Sequence, residues 1–154
     1  MPLKIFLTSF DGTDSLKLLI DYSVKIMENK IPLGLKMIQQ KTVLMDDTAS
    51  KYGSGLIEVF ATPAMVGLME ATAQLSVQTY LSEGLITLGI EINVKHIKAT
   101  AVGMKVYCES ELIKVEGKKM LFEIRAWDEK GEIGTASHTR YIVDAKKFME
   151  KLNA

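Results

Sequence analysis

Leu56-Ile-Glu-Val-Phe-Ala-Thr62-Pro63-Ala-Met-Val-Gly-Leu-Met-Glu70-Ala-Thr-Ala-Gln-Leu-Ser-Val-Gln-Thr-Tyr-Leu81 decides how this 154-residue chain folds. Thr62 followed by Pro63 reads as a helix start: a hydroxyl N-cap, then a proline whose missing N–H costs nothing at the first helical position. From Ala64 to about Leu81 the residues are apolar or small nearly all round, with no Lys or Arg and a single acid, Glu70. A helix of that composition is buried on more than one side. It needs a sheet wrapped around it.

The flanking sequence supplies the strands. Residues 35–45 read as one strand, and Asp46 to Gly55 as a polar, Gly-rich loop. Residues 86–96 alternate, with Ile86, Leu88, Ile90, Ile92 and Val94 on one face and Thr87, Gly89, Glu91, Asn93 and Lys95 on the other. His96 falls on the apolar face. Residues 104–115 alternate again, and turns at Glu116–Lys118 and Asp128–Gly131 lead into strands over 120–128 and 133–143. A short helix over about 145–152 closes the chain. The order is strand, buried helix, then four strands joined by short turns. That is an α+β architecture, and a curled antiparallel sheet around one long central helix, the hot-dog fold, fits it. Ahead of it, Leu16, Leu19, Ile20, Val24 and Met27 recur at helical spacing until Pro32 and Gly34. Residues 1–32 therefore read as an N-terminal extension with an amphipathic helix that packs on the core or a partner, and 33–154 as the main domain.

Composition removes several function classes. Lys+Arg and Asp+Glu are 19 each, so there is no basic excess for nucleic acid. Residues 1–77 carry 7 basic and 8 acidic side chains, and 78–154 carry 12 and 11, so the halves do not separate charge either. The first residues lack a secretory signal pattern, and no apolar run is long enough to span a membrane. A single cysteine, Cys108, excludes an internal disulfide and points to a reducing compartment, the cytoplasm. Zero net charge gives little colloidal repulsion, which favours self-association. No metal site is expected: the two histidines lie 42 positions apart, with no HxxxH and no cysteine pair. No Walker loop or GxGxxG is present.

Three side chains could carry chemistry. Glu70, eight residues into an apolar helix, should have its ionised form disfavoured by desolvation, which makes a usable acid, base or nucleophile. The competing reading is a carboxylate paired across a subunit interface. His96 is the side chain most easily poised to exchange a proton near pH 7, although a lone histidine on an apolar face is more often a satisfied core residue. Thr62 is explained by capping alone, yet a helix start also offers free N–H groups and a positive dipole end, the ingredients of an oxyanion site. Eight residues of helix separate Thr62 from Glu70 by roughly 12 Å. A shared site is easier if Glu70 of one subunit meets the helix start of another across a two-fold axis. His138, in Ser137-His138-Thr139-Arg140, reads as part of a structural network.

Glu58-Val-Phe-Ala-Thr62-Pro-Ala-Met-Val-Gly-Leu-Met-Glu70-Ala, then Thr87-Leu-Gly89 with His96-Ile-Lys-Ala-Thr-Ala-Val-Gly103, resembles the fluoroacetyl-CoA thioesterase-like family of hot-dog proteins. Val115-Glu-Gly-Lys, Phe122, Asp128-Glu, Ile133-Gly134 and His138-Thr-Arg140 follow the same pattern, and the likeness runs from about residue 33 to 149. It implies a homodimer or dimer of dimers, a site at the subunit interface and hydrolysis of an acyl-CoA thioester. It assigns a catalytic triad to Thr62, Glu70 and His96, and a glycine near the thioester carbonyl to Gly89. Coenzyme A enters as part of the substrate, and no separate cofactor is implied. Two positions depart from the fluoroacetate-specific member: Leu56 stands where that protein has a phenylalanine lid, and Pro63 where it has glycine. Another small or medium acyl group is therefore expected. Lys95, Lys98, Lys118, Lys119 and Arg140 could meet the phosphates of CoA, although a solvated surface is the default for each. Two other classes compete: a non-catalytic acyl-CoA binding or sensing protein, and a hot-dog enoyl-CoA hydratase, which would need an Asp/His pair. A panel of acyl-CoAs with thiol detection separates them.

Overall fold

The computed structural model describes residues 17–19, 22 and 31–154. Five strands, β1 (Lys36–Thr42), β2 (Leu85–His96), β3 (Lys105–Glu116), β4 (Lys119–Asp128) and β5 (Gly131–Asp144), pair antiparallel throughout in the order β1-β3-β4-β5-β2. Within residues 31–154 the α-helices are α1 (Ala49–Tyr52), α2 (Thr62–Gln78) and α3 (Ala145–Leu152). The uncharged stretch forms α2, and the sheet curls around it as the hot-dog arrangement requires. Met65, Met69, Ala73 and Val77, spaced four apart on α2, are buried against Val106, Cys108 and Leu112 of β3 and Met120, Phe122 and Ile124 of β4. Truncating one such methionine to alanine costs about 2–5 kcal/mol. The opposite side of α2 is less covered than its composition implied. Pro63, Gly67, Ala71 and Leu75, also spaced four apart, are exposed in the single chain.

The segment between β1 and α2 is not a bare loop. It holds a 3₁₀ turn at Met45–Asp47 and then α1, capped by Thr48. Val43 N–H donates to the Met104 carbonyl, the Val43 carbonyl accepts from Gly103 N–H, and Phe60 N–H donates to the Thr100 carbonyl. Asp47, nearly buried, accepts from the Leu44 N–H at 2.9 Å and from Lys41 Nζ. These ties fix where the chain enters α2, beside the end of β2.

β2 departs from the simple alternation of its sequence. A bulge between Gly89 and Glu91 leaves Ile90 without a cross-strand partner. Such a bulge opposes two residues to one and exchanges the faces of the strand across it. Thr87 and Gly89 therefore join Ile92, Val94 and His96 on the helix-facing side. Leu88 lies opposite Tyr141 on the other face, and Ile90 is 55% exposed.

Of the N-terminal extension, Lys17–Leu19 and Tyr22 are helical and exposed; the rest of the expected amphipathic helix lies outside the described residues. Ile31 is buried in the core. Among the described residues no helix is long and apolar enough to cross a membrane.

Candidate active site

At the start of α2 the cap is Ala61, not Thr62. The Ala61 carbonyl accepts the first intrahelical bond from Met65 N–H at 3.0 Å, and no side chain caps the helix. Thr62 and Pro63 are the first two helical residues. The Thr62 hydroxyl is thereby free for another use: its Oγ1 lies 2.9 Å from His96 Nδ1 at the end of β2. The contact needs close approach of helix and sheet, and Gly134 allows it. A Cβ there would lie 2.6 Å from the Lys95 carbonyl oxygen and 2.7 Å from Met65 Cε. Gly134 is also the cross-strand partner of His96. The His96 ring sits edge-on to Phe60, and its Nε2 is buried without a partner among the described residues. Burial pushes the His96 pKa below its ordinary value, only partly offset by backbone at Lys98. The ring is neutral at pH 7 and able to take a proton.

Two turns along the helix, Glu70 faces a second polar group. Its carboxylate rests on Gly89, where a Cβ would lie 2.5 Å from Glu70 Oε1 and 2.9 Å from His138 Cε1. Only glycine fits between the two side chains. Arg140, 6% exposed, donates from Nε to Thr87 Oγ1 and from Nη2 to the Thr87 carbonyl, both at 2.8 Å. Its Nη1 lies 3.0 Å from His138 Nε2 and 3.5 Å from the Glu70 carbonyl oxygen. A guanidinium can only donate, so His138 Nε2 accepts and Nδ1 carries the proton. That Nδ1–H donates to the Glu91 carbonyl at 2.8 Å, the residue just past the bulge. Burial, reinforced by the Arg140 charge, lowers the His138 pKa and keeps this ring neutral. Glu70 Oε1 stands 3.9 Å from His138 Nε2. The structural network expected around His138 is thus present, and the β2 bulge is built into it.

The desolvation expected of Glu70 is incomplete in one chain: its side chain is 43% exposed, at the mouth of a cleft of about 320 Å³ lined by Glu70, Ala71, Gln74, Gly89 and Arg140. Thr62 and His96 touch one another, Glu70 and Gly89 touch one another, and the two pairs sit at different levels of α2. Leu56 is 98% exposed on the approach to α2, and Pro63 is exposed beside Thr62. Two expected surface cations are committed elsewhere. Lys98 Nζ lies 3.0 Å from Oδ1 of buried Asp128, and Arg140 is interior. Sequence reasoning did not single out Thr87, Gln74 or the closeness imposed by Gly134. Gly89 inside an otherwise alternating strand was the available sign of the bulge.

A five-stranded antiparallel sheet curled around one long helix defines a hot-dog protein, here with Thr–His at the helix start and a carboxylate at mid-length. Residues 43–146 match the family of FlK, fluoroacetyl-CoA-specific thioesterase, and the chain belongs to that family. The fluoroacetyl-CoA thioesterase of Streptantibioticus cattleyicolor is 40% identical over 95 residues, covering 62% of this chain and 68% of that protein. A single-residue variant of FlK solved with fluoroacetate and CoA superposes with a TM-score of 0.73 at 33% identity, covering 76% of this chain and 98% of that one. A hypothetical protein of Thermus thermophilus, a thioesterase superfamily member, gives 0.74 at 25% identity over 80% of this chain and 91% of its own.

Proposed function

We propose that this chain hydrolyses a small or medium acyl-CoA thioester to the free acid and CoA, in a site shared between two subunits. The observation that carries the reading is the Thr62 hydroxyl held 2.9 Å from a neutral His96 at the start of α2 in a member of a thioesterase family. Thioester hydrolysis needs a group that takes the proton of the attacking species and donors for the charge growing on the carbonyl oxygen. Neutral His96 takes the proton, and Thr62, hydrogen-bonded to it, positions the attacking group. The first turn of α2 supplies free N–H groups and its positive dipole end. Glu70 supplies a carboxylate against Gly89, where the absent side chain brings substrate close to backbone. The products balance with water alone: the C–S bond breaks, a C–O bond forms, and the thiolate leaves with a proton. The reaction needs no cofactor beyond the CoA carried by the substrate.

Two features support a dimer. Thr62 and Glu70 are roughly 12 Å apart on one helix, so one chain does not bring them together. The exposed stripe Pro63, Gly67, Ala71 and Leu75, with the unpaired edge of β2 and exposed Ile90, offers a second copy somewhere to sit. Leu56, 98% exposed ahead of α2, is read as bordering a partner's site. Soluble CoA thioesters and the lone buried Cys108 suit the cytoplasm, and residues 1–32 are read as an extension outside the hydrolytic domain.

A mixing experiment tests the shared site. Glu70→Gln and His96→Ala are each inactive, and co-refolding them makes heterodimers in which one of the two sites has both native residues. Random pairing then restores about a quarter of wild-type turnover. Recovery near zero, with heterodimers shown to form, places the site within one chain. No thiol release from any acyl-CoA by the wild type removes the enzyme reading altogether.

A further inference from the structure

Few side chains hold the Thr62–His96 pair, so its separation is set by the backbone beneath it. Residues 97–101 connect the two sides. They leave His96 directly, with Ile97 N–H donating to the Ile133 carbonyl at 2.8 Å, and they end against the segment that enters α2. There the Thr100 carbonyl accepts from Phe60 N–H at 2.9 Å, and Ala101 pairs antiparallel with Val59. Phe60 stands two residues ahead of Thr62 and sets its ring edge-on to His96. From the other direction Ala61 N–H donates to the Asp47 carbonyl at 2.8 Å, so the entry to α2 is clamped from both. Of the two clamps, the one at Thr100 is continuous in sequence with His96.

One carboxylate anchors this connection. Asp128, buried at the end of β4, accepts from Thr100 Oγ1 at 2.9 Å on one oxygen, and from Lys98 Nζ at 3.0 Å and Lys130 N–H at 2.7 Å on the other. Burial alone would raise the Asp128 pKa, but the Lys98 ammonium, the Lys130 N–H and the Thr100 hydroxyl outweigh it and hold the value below the ordinary one. The group is therefore ionised at pH 7 and acceptor-only, which lets it take three donors at once. We infer that Asp128 is a positioning residue for the hydrolysis: through Thr100 and Lys98 it holds the 97–101 connection, and that connection sets the Thr62 hydroxyl against the His96 ring. The inference rests on the thioesterase reading and adds to it a residue that acts only through others.

The test asks whether Thr100 matters only while the Thr62 hydroxyl is there to be placed. Thr100→Val keeps the shape and removes the bond to Asp128. In the otherwise native chain it should lower kcat for thiol release roughly tenfold with KM little changed, the cost of a small misplacement of reacting groups. Thr100→Ser, which restores the hydroxyl, should recover most of that. In the Thr62→Ala background the same Thr100→Val change should cost less than about twofold in kcat, while its effect on Tm is equal in both backgrounds. A bond that only stabilises the fold would not separate the two readouts. Asp128→Asn keeps an oxygen for Lys98 and Lys130 and turns its NH₂ to Thr100 Oγ1, which accepts as well as donates, so it should hold kcat within about threefold. Asp128→Ala should lose at least as much as Thr100→Val. Should either of these two fail to fold in a thermal melt, Lys98→Met cuts the half-buried link alone and carries the same comparison, with a loss of about threefold that vanishes in the Thr62→Ala background. Native kcat in a folded Asp128→Ala overturns the inference, and so does an equal loss from Thr100→Val or Lys98→Met in both backgrounds. Thiol release from no acyl-CoA by the native protein is a different result: it ends the thioesterase reading, and this inference with it.

Discussion

The two polar stations of α2 are built in opposite ways. At its start, Thr62 and His96 share one hydrogen bond, Thr62 is exposed and His96 Nε2 has no partner among the described residues. At mid-helix, Thr87, His138 and Arg140 form a buried network that includes the Glu91 carbonyl, and the Glu70 carboxylate stands beside it at the mouth of the cleft. One station is sparse, with an exposed hydroxyl and one unpartnered ring nitrogen. The other is filled, with orientations fixed before anything binds. Preorganisation of the second kind fixes geometry at low cost during reaction, whereas the first can rearrange as the substrate arrives. Substitutions at the two stations should therefore fail differently.

The largest effect is expected at the single reactive group of the rigid station. Glu70→Gln keeps the shape and the contact with Gly89 but removes the charge and the proton acceptor. It should lower kcat by about a hundred- to ten-thousand-fold with KM little changed. Equal losses in binding and turnover would reduce Glu70 to a binding contact. At the open station Thr62→Ala should cost roughly ten- to a hundredfold in kcat, while Thr62→Ser, which restores the hydroxyl to His96 Nδ1, should recover most of it. Thermal stability should barely move in either, because Thr62 caps nothing. A melt lowered by Thr62→Ala would revive the capping role that Ala61 holds here.

That exchange shows what the sequence made visible and what it hid. The uncharged run from Ala64 onward dictated a helix inside a curled sheet, because nothing else can bury so many apolar faces. Strand order and turns followed from period-two alternation and Gly-containing turns. Thr62, Glu70 and His96 stood out as chemistry in the wrong surroundings. β2 was misread on its first half, since alternation assigns faces only while the register is unbroken, and one unpaired residue at Ile90 exchanges them. With the faces exchanged, Thr87 moved from the outer side to the anchor of Arg140. The hydrogen bonds from Gln74 to Gln78 and from Gln78 to the Leu85 carbonyl were equally hidden: glutamines on a helix read as neutral until such a carbonyl fixes which way they point.

A smaller effect sharpens the contrast at His138, which acts through others. His138→Phe fills the space but removes the donor to the Glu91 carbonyl and leaves Arg140 Nη1 only the Glu70 carbonyl at 3.5 Å. About 1–3 kcal/mol of stability should be lost, with a fall of several degrees in Tm. Because the bulge would loosen, Gly89 should shift against Glu70 and kcat should fall roughly tenfold while KM moves less. His138→Asn retains an N–H where Nδ1 stood and should recover much of kcat. Failure of Asn to rescue would leave His138 with a packing role only.

The mildest test uses pH, and separates the two stations by what each histidine controls. Both rings have pKa values lowered from 6.5, chiefly by burial, so the folded protein prefers each of them neutral. For His96 the consequence is kinetic. The neutral base persists through pH 7, so the acid limb of kcat/KM should lie below pH 6.5, and a limb above that value would exclude His96 as the base. For His138 the consequence is thermodynamic. The unfolded chain binds a proton at this residue below about pH 6.5 and the folded chain does not until lower pH. The stability this ring contributes is complete above the unfolded value and is lost as pH falls from there toward the folded one. Tm should therefore decline on acidification through that window. In His138→Asn the decline should be shallower while the kinetic limb stays where it was. If His138→Asn moves the kinetic limb and leaves the slope of Tm unchanged, the roles of the two histidines are the reverse of those their surroundings assign.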